Sequence, residues 1–118
     1  MVDNSEIVAL SEEIKNSRKI LSCLGDETRQ HIILEMIKGG DCTGLRVNDI
    51  AAKSNLSRPA VSHHLGIMKD AGLLKVRREG TKNYYYFDAD MESFTTLITM
   101  LNHAKAIMSS LPERRCDD

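Results

Sequence analysis

The chain has 118 residues, a length that suits one domain, and we expect residues 1–118 to form a single unit. Its 42% hydrophobic and 28% charged residues are typical of a globular protein and exclude intrinsic disorder. No apolar run approaches the roughly 18 residues of a membrane span, and the first residues do not resemble a signal peptide. We therefore expect a cytoplasmic protein with no membrane partner.

Charge is distributed unevenly along the chain, although the formal net charge is only −1. Residues 53–83 carry 7 Lys/Arg against 2 Asp/Glu, whereas residues 1–52 carry 6 against 9 and residues 84–118 carry 3 against 6. A basic segment between two acidic ones is typical of an electrostatic footprint for a polyanion. A solvated charged surface without a ligand is the alternative that charge alone leaves open.

The three cysteines, Cys23, Cys42 and Cys116, are in neither C-x-x-C nor C-x-C spacing. An odd number of cysteines without these spacings predicts neither a disulfide framework nor a thiolate zinc ribbon, so we expect reduced thiols. A redox pair such as Cys23–Cys116 is the alternative to three unreactive thiols.

Two helices are predicted in the first third of the chain. Apolar residues recur at near-helical spacing through residues 5–24, and Asn4 or Ser5 is available as the cap. Asp26 can cap a second helix, which Gly39-Gly40 is expected to end.

A helix-turn-helix is predicted over residues 47–72. A short helix around Asn48–Ser54 leads to a turn at Asn55-Leu56, and Ser57 is a suitable N-cap for a helix of about 15 residues. Pro59 lies in the first turn of this helix, where its missing N–H is harmless. The positions expected to be buried along this helix are Ala60, Val61, Leu65 and Met68.

A β-hairpin, the wing, is predicted over residues 73–87. Strands at 74–78 and 84–87 flank a turn at 79–82. Two helices joined by a tight turn and followed by a hairpin define a winged helix-turn-helix. The predicted fold class is therefore mainly α with a β-hairpin wing.

A last helix is predicted over residues 90–111, with Asp88 or Asp90 as its cap and Pro112 at its end. This helix and the one at 5–24 have more apolar surface than the small central core can cover. We expect them to pair between two chains in a homodimer, and a monomer with both helices folded back is the alternative. The expected interface residues are Ile7, Leu10, Ile14, Phe94, Leu97, Ile98, Leu101 and Met108.

Polar side chains at the start of the helix after Ser57 lie opposite its apolar positions. In a helix-turn-helix this end of the helix enters the major groove of DNA. There Arg58 can bind guanine, and Ser62 can hydrogen-bond to either base of a base pair. The basic residues of the wing can bind phosphates or enter a neighbouring minor groove. The residues expected to contact a double-stranded DNA operator are Ser57, Arg58, Ser62, His63, His64, Lys69, Lys75, Arg77, Arg78 and Lys82. A winged helix that contacts only protein is the alternative.

Several motifs resemble, in order, those of the ArsR/SmtB regulators over about residues 18–110. They are Leu24-Gly25-Asp26-Glu27-Thr28-Arg29, Val47-x-x-Ile50-Ala51, Leu56-Ser57-x-x-x-Val61-Ser62-x-His64-Leu65, Gly72-Leu73-Leu74, Arg78-x-Gly80 and Tyr84–Phe87. The resemblance implies a cytosolic, homodimeric winged-helix repressor that leaves DNA when an inducer binds. A homodimer further implies an operator with two-fold symmetry. The identity of the inducer does not follow from the motifs.

The two metal sites of that family are incomplete in this sequence. Arg46-x-Asn48 stands where the family has a C-x-C, which excludes a soft-metal thiolate site there. At the positions of the family's zinc ligands on the last helix, this sequence has Asp90-x-Glu92, then ten residues, then His103-x-x-Ala106. Ala106 has no donor atom, so one ligand is missing. Asp90, Glu92 and His103 are weak zinc candidates, and we expect no metal or other cofactor. A zinc-responsive or a thiol-responsive repressor is the alternative.

The adjacent pair His63-His64 does not predict a metal site, because neighbouring helical residues point about 100° apart. We expect one of them to contact DNA and the other to pack. The sequence has no G-x-x-x-x-G-K-[ST], G-x-G-x-x-G, G-x-S-x-G or H-E-x-x-H motif, so no enzymatic activity is expected.

Overall fold

Five α-helices and one β-hairpin make up the described part of the chain. A computed structural model describes residues 3–39 and 43–111. In chain order the elements are α1 Asn4–Leu24, α2 Glu27–Gly39, α3 Val47–Ser54, α4 Arg58–Asp70, β1 Leu74–Glu79, β2 Lys82–Phe87 and α5 Glu92–Ser109. This order confirms the predicted winged helix-turn-helix. Gly40, Cys42, Pro112 and Cys116, which entered the predictions above, lie outside the described residues. Within the described ranges, no helix has the length and apolar character needed to cross a membrane.

The first helix begins one residue earlier than predicted, because Asp3, and not Asn4 or Ser5, is its N-cap. The Asp3 carboxylate accepts the backbone N–H of Glu6 at 2.9 Å, and the Glu6 carboxylate accepts the N–H of Asp3 at 3.2 Å. This reciprocal capping box satisfies two N–H groups that have no partner inside the helix.

The predicted cap of the last helix is wrong. Its N-cap is Met91, which has a left-handed φ of 49° and makes no side-chain cap bond. Asp88 instead accepts the N–H of Asp90 at 3.1 Å, and its carboxylate lies 3.7 Å from the Lys75 ammonium. Because the preceding loop uses these groups, α5 is shorter than predicted, with 18 residues and a length of about 27 Å.

The core is built from residues of all five helices and of β1. Its most deeply buried side chains are Ile32, Ile50, Val61, Leu65, Met68 and Leu73. Ser57 caps α4 as predicted, accepting the N–H of Ala60 at 3.3 Å. Gly72, with φ at 81°, ends α4: the N–H of Gly72 bonds to the carbonyl of Lys69, and the N–H of Leu73 to that of Met68. This Schellman motif directs the chain from the helix into β1.

The hairpin is attached to the helices through the segment before α3. The two strands pair antiparallel from Leu74↔Phe87 to Glu79↔Lys82, around a two-residue turn. Leu45 and Tyr85 exchange both of their backbone hydrogen bonds at 2.8 Å. The position of the wing relative to α3 and α4 is therefore fixed by backbone bonds.

A buried arginine connects three helices. The Nε and Nη2 groups of Arg29 donate to the carbonyls of Cys23 and Ser22, both at 3.0 Å, in the last turn of α1. Nη1 of the same residue lies 3.2 Å from Nδ1 of His64 in α4 and 3.9 Å from the Asp26 carboxylate. The guanidinium fork thus satisfies carbonyls that α1 leaves unpaired and ties α1 and α4 to α2.

The first and last helices pack on each other and project from the core. The structure extends over 59 × 32 × 21 Å, and its radius of gyration is 18.5 Å, against about 13 Å for a compact domain of this length. A contact of 2.6 Å joins Nδ1 of His103 to the Glu13 carboxylate. Leu97, a predicted interface residue, is only 9% exposed and belongs to the core of its own chain.

Large apolar side chains remain exposed on this helix pair. They are Ile7, Val8, Ile14, Leu21, Ile98, Leu101 and Met108, and Leu111 follows just after α5. Leu10 and Phe94 are partly covered by the core, whereas Ile98 and Leu101 are 56% and 50% exposed. Folding of a single chain therefore leaves most of the predicted apolar surface in water.

Replacing Arg29 by methionine is expected to lower the free energy of unfolding by about 2–4 kcal/mol, because buried carbonyls of α1 lose their charged donors. Lys19→Met is the matched control, since the 3.5 Å pair of Lys19 with Asp70 is exposed on both sides. Its cost should stay below about 1 kcal/mol. Urea unfolding followed by circular dichroism measures both, and equal losses would contradict a connecting role for Arg29.

Candidate nucleic-acid interface

The fourth helix presents a polar face to solvent. Its exposed polar side chains include Arg58, Ser62, His63 and Lys69, whereas Val61, Leu65 and Met68 are buried. Arg58 and Ser62 are one turn apart on the same side of the N-terminal end. Lys69 lies eleven residues further, about 16 Å along the helix axis, so the structure separates it from that end.

The tip of the wing and the N-terminal ends of α3 and α4 enclose a polar groove. Its lining residues are Arg46, Val47, Asn48, Arg58, Thr81, Lys82 and Asn83. Three elements thereby supply one cation each, and such a groove suits the phosphates of a nucleic acid. Arg46 and Asn48 were not among the residues predicted to contact DNA. Their position at the start of the first helix of the helix-turn-helix was the only available signal.

The four basic wing residues do not all lie on one face of the hairpin. Side chains alternate along a strand, so Lys75 and Arg77 lie on one face of β1 and Arg78 on the other. Lys82 is the cross-strand partner of Glu79 and shares the face of Lys75 and Arg77. The wing therefore has three basic residues on one face and one on the opposite face.

The basic residues also differ in how far other groups neutralise them. Lys75 lies 3.7 Å from Asp88. Arg77 pairs with Glu79 at 3.2 Å and lies over the Tyr84 ring at 4.9 Å. Within residues 3–39 and 43–111, Arg58 and Lys82 have no ion-pair partner, which leaves the charges that border the groove available to an anion.

The two adjacent histidines have different surroundings. His63 is exposed, whereas His64 is half-buried and lies beside Arg29. Since arginine can only donate, Nδ1 of His64 is the acceptor, which defines the neutral ring with its proton on Nε2. Burial lowers the pKa of His64, and Arg29 and His63 add to this effect while Asp26 opposes it. His64 therefore has the packing role, and the predicted DNA contact is left to His63.

The weak zinc candidates are spread along the chain. Glu92 and His103 are eleven residues apart on α5, about 16 Å along its axis, and His103 contacts Glu13. The described part of the chain contains no group of three or more potential metal ligands. Cys23 is buried, and burial raises the pKa of its thiol although Arg29 opposes the shift. A raised pKa disfavours the reactive thiolate.

A helix-turn-helix with a wing and a cationic end defines the class of DNA-binding winged-helix regulators, and solved structures share this fold. An ArsR family transcriptional regulator superimposes with a TM-score of 0.66 at 18% identity, covering 83% of this chain and 95% of that one. A homodimeric winged helix-turn-helix DNA-binding domain from Mycobacterium bovis, a possible ArsR-family regulator, gives 0.56 at 20% identity, covering 95% and 97%.

Sequence comparison identifies the family. The model for "bacterial regulatory protein, arsR family" matches residues 26–76. An uncharacterised HTH-type transcriptional regulator of Methanocaldococcus jannaschii is 35% identical over 79 residues, which is 67% of this chain and 85% of that protein. The transcriptional repressor SdpR of Bacillus subtilis is 34% identical over 85 residues, which cover 70% of this chain and 90% of SdpR. The chain belongs to the arsR family of bacterial regulatory proteins, which confirms the resemblance seen in its motifs.

Acidification is expected to destabilise the protein through His64. Because the folded-state pKa of His64 lies below the ordinary value of about 6.5, the unfolded chain takes up a proton that the folded chain excludes. The stability that neutral His64 provides is present above about pH 6.5 and is lost as the pH falls through the folded-state pKa. The lowered pKa of Asp26, caused mainly by its bond to the Arg29 N–H, acts only below about pH 4.

Urea unfolding of the wild type and of His64→Gln between pH 5 and 8 measures this effect, since glutamine can still accept from Arg29. The difference in stability between the two proteins should shift in favour of the variant as the pH falls. A difference that does not change with pH would contradict the assigned ring state.

Proposed function

We propose that the protein is a sequence-specific repressor that binds a two-fold symmetric DNA operator as a homodimer and leaves it when an inducer binds. The observation that carries the proposal is the groove where Arg46, Arg58 and Lys82 meet at the N-terminal end of α4. A double-stranded nucleic acid can use both the groove, through its phosphates, and the exposed helix face beside it, through its base edges. This role is regulatory and not enzymatic, and it places the protein with the DNA in the cytoplasm.

In this proposal the recognition residues have two kinds of task. Arg58, Ser62 and His63 read base edges in the major groove, because their side chains project from the first turns of α4. Ser57 offers the helix N-terminus to a phosphate, and Lys82 binds phosphate at the wing. The remaining basic residues, Lys69, Lys75, Arg77 and Arg78, contribute to the general attraction of DNA.

The proposed dimer interface is the exposed apolar surface of α1 and α5. A chain with a radius of gyration of 18.5 Å does not cover this surface by itself, whereas a second copy would. An isologous pairing of the two helix pairs also separates the two α4 helices, as two operator half-sites require. The SdpR repressor, which is 34% identical, supports the repressor role.

Arg58→Ala is expected to weaken binding to the protein's own upstream DNA by about 1–3 kcal/mol and to relax preference at one base pair, because a bidentate contact to guanine is lost. Lys82→Ala should weaken binding to all sequences and reduce the salt slope by about one. Fluorescence anisotropy with specific and random duplexes at several salt concentrations measures both. Lys38→Ala, on α2 and outside both the groove and the proposed dimer interface, is the control and should match the wild type. Equal losses on both duplexes for Arg58→Ala would contradict its base-reading role.

Leu101→Asp is expected to give monomers or insoluble protein, because it places an unpaired charge in the middle of the proposed interface. Operator binding should fall with it, since a single chain holds only one half-site. Leu34→Asp is the matched control, because Leu34 is similarly exposed, at 56% against 50%, but lies on α2. Sedimentation velocity distinguishes the species. A dimeric Leu101→Asp protein would show that this surface does not mediate assembly.

A further inference from the structure

One face of the wing is directed away from the core and carries charged and aromatic side chains. The strand register places Arg77 opposite Tyr84, and Glu79 opposite Lys82, on the same face of the hairpin. Glu79 therefore has a cation two residues before it on its own strand and another cation across from it. It is the only acidic residue in the otherwise basic segment 75–83.

The Arg77 side chain is held in place from two directions. Its guanidinium carbon lies 4.9 Å from the centre of the Tyr84 ring, and its Nε donates to Oε1 of Glu79 at 3.2 Å. The side chain of Arg77 is 39% exposed and that of Glu79 is 60% exposed. The guanidinium is thus preorganised at the surface, but a carboxylate occupies one of its donors.

We propose that Glu79 is an internal competitor for DNA phosphate, which holds Arg77 on the Tyr84 ring and limits the affinity of the wing. The terminal nitrogens of Arg77 have no acceptor among the described residues, yet a phosphate that binds them meets the charge of the Glu79 carboxylate. Arg77 therefore binds phosphate fully only when Glu79 releases it, while the Tyr84 ring keeps the guanidinium oriented during the exchange. This inference rests on the proposed DNA-binding function.

The competition has a defined consequence for operator binding. An exposed ion pair is weak, so phosphate can displace Glu79, but the exchange reduces the net gain from the Arg77 contact. The contact carries no base information, so the reduction applies equally to operator and random DNA. Glu79 in this way lowers the background affinity that would otherwise hold the repressor on non-operator DNA.

The test is a double-mutant cycle of Glu79→Gln and Arg77→Gln, measured by fluorescence anisotropy with an upstream duplex and a random duplex over a salt series. Glu79→Gln should tighten binding to both duplexes by about two- to five-fold, the range that corresponds to one exposed ion pair. It should also steepen the salt dependence by up to about 0.9 in log–log slope, because the Glu79 charge no longer offsets the phosphate that Arg77 neutralises. In the Arg77→Gln background the same substitution should change affinity by less than about 1.5-fold.

The background comparison separates the proposal from a general effect of charge. Equal tightening in both backgrounds, or an unchanged affinity of Glu79→Gln, would overturn it. Circular dichroism and melting curves check that the variants fold, which their exposed positions favour. If the wild type binds no duplex, the proposed function itself fails. If Arg58→Ala and Lys82→Ala behave as expected but the cycle shows no coupling, only the role of Glu79 is wrong.

Discussion

The arrangement of the helices depends on the buried guanidinium of Arg29. A helix ends with carbonyl groups that have no partner inside the helix, and in α1 the carbonyl of the buried residue Cys23 is one of them. Arg29 reaches two of these carbonyls, the Asp26 carboxylate and His64 with one rigid fork. No other side chain offers so many donors in one plane. The contact with His64 sets the position of α4, and with it the residues that face the groove.

Two parts of the domain's surface differ in chemical character. The N-terminal ends of α3 and α4 and the tip of the wing are cationic, whereas the projecting pair of α1 and α5 is apolar on its exposed side. The Leu45–Tyr85 backbone bonds fix the wing beside α3, and the Arg29 contacts fix the end of α1 against α2 and α4. One end of the molecule is suited to a polyanion and the other to a second copy of the chain.

The net charge of the basic segment does not show how the individual charges on the wing are placed and paired. Strand alternation distributes the basic residues over two faces, and carboxylates partner two of them. Arg58 and Lys82, which have no ion-pair partner in the described ranges, border the same groove from different elements. The cations at the junction of helix and wing are therefore not neutralised by local pairing, whereas Lys75 and Arg77 on β1 are partly neutralised.

Short-range patterns in the sequence determined most of the fold. The apolar spacing of the helices, Ser57 before Pro59, and Gly80 in the hairpin turn act over a few residues and predicted the element order correctly. The cap of α5 was predicted wrongly, because the loop at Asp88 has tertiary uses for its carboxylate that a local rule does not include. Only the tertiary structure decided that Arg46 borders the groove and that His64 packs on Arg29. These placements depend on contacts between residues far apart in the chain, which periodicity alone does not specify.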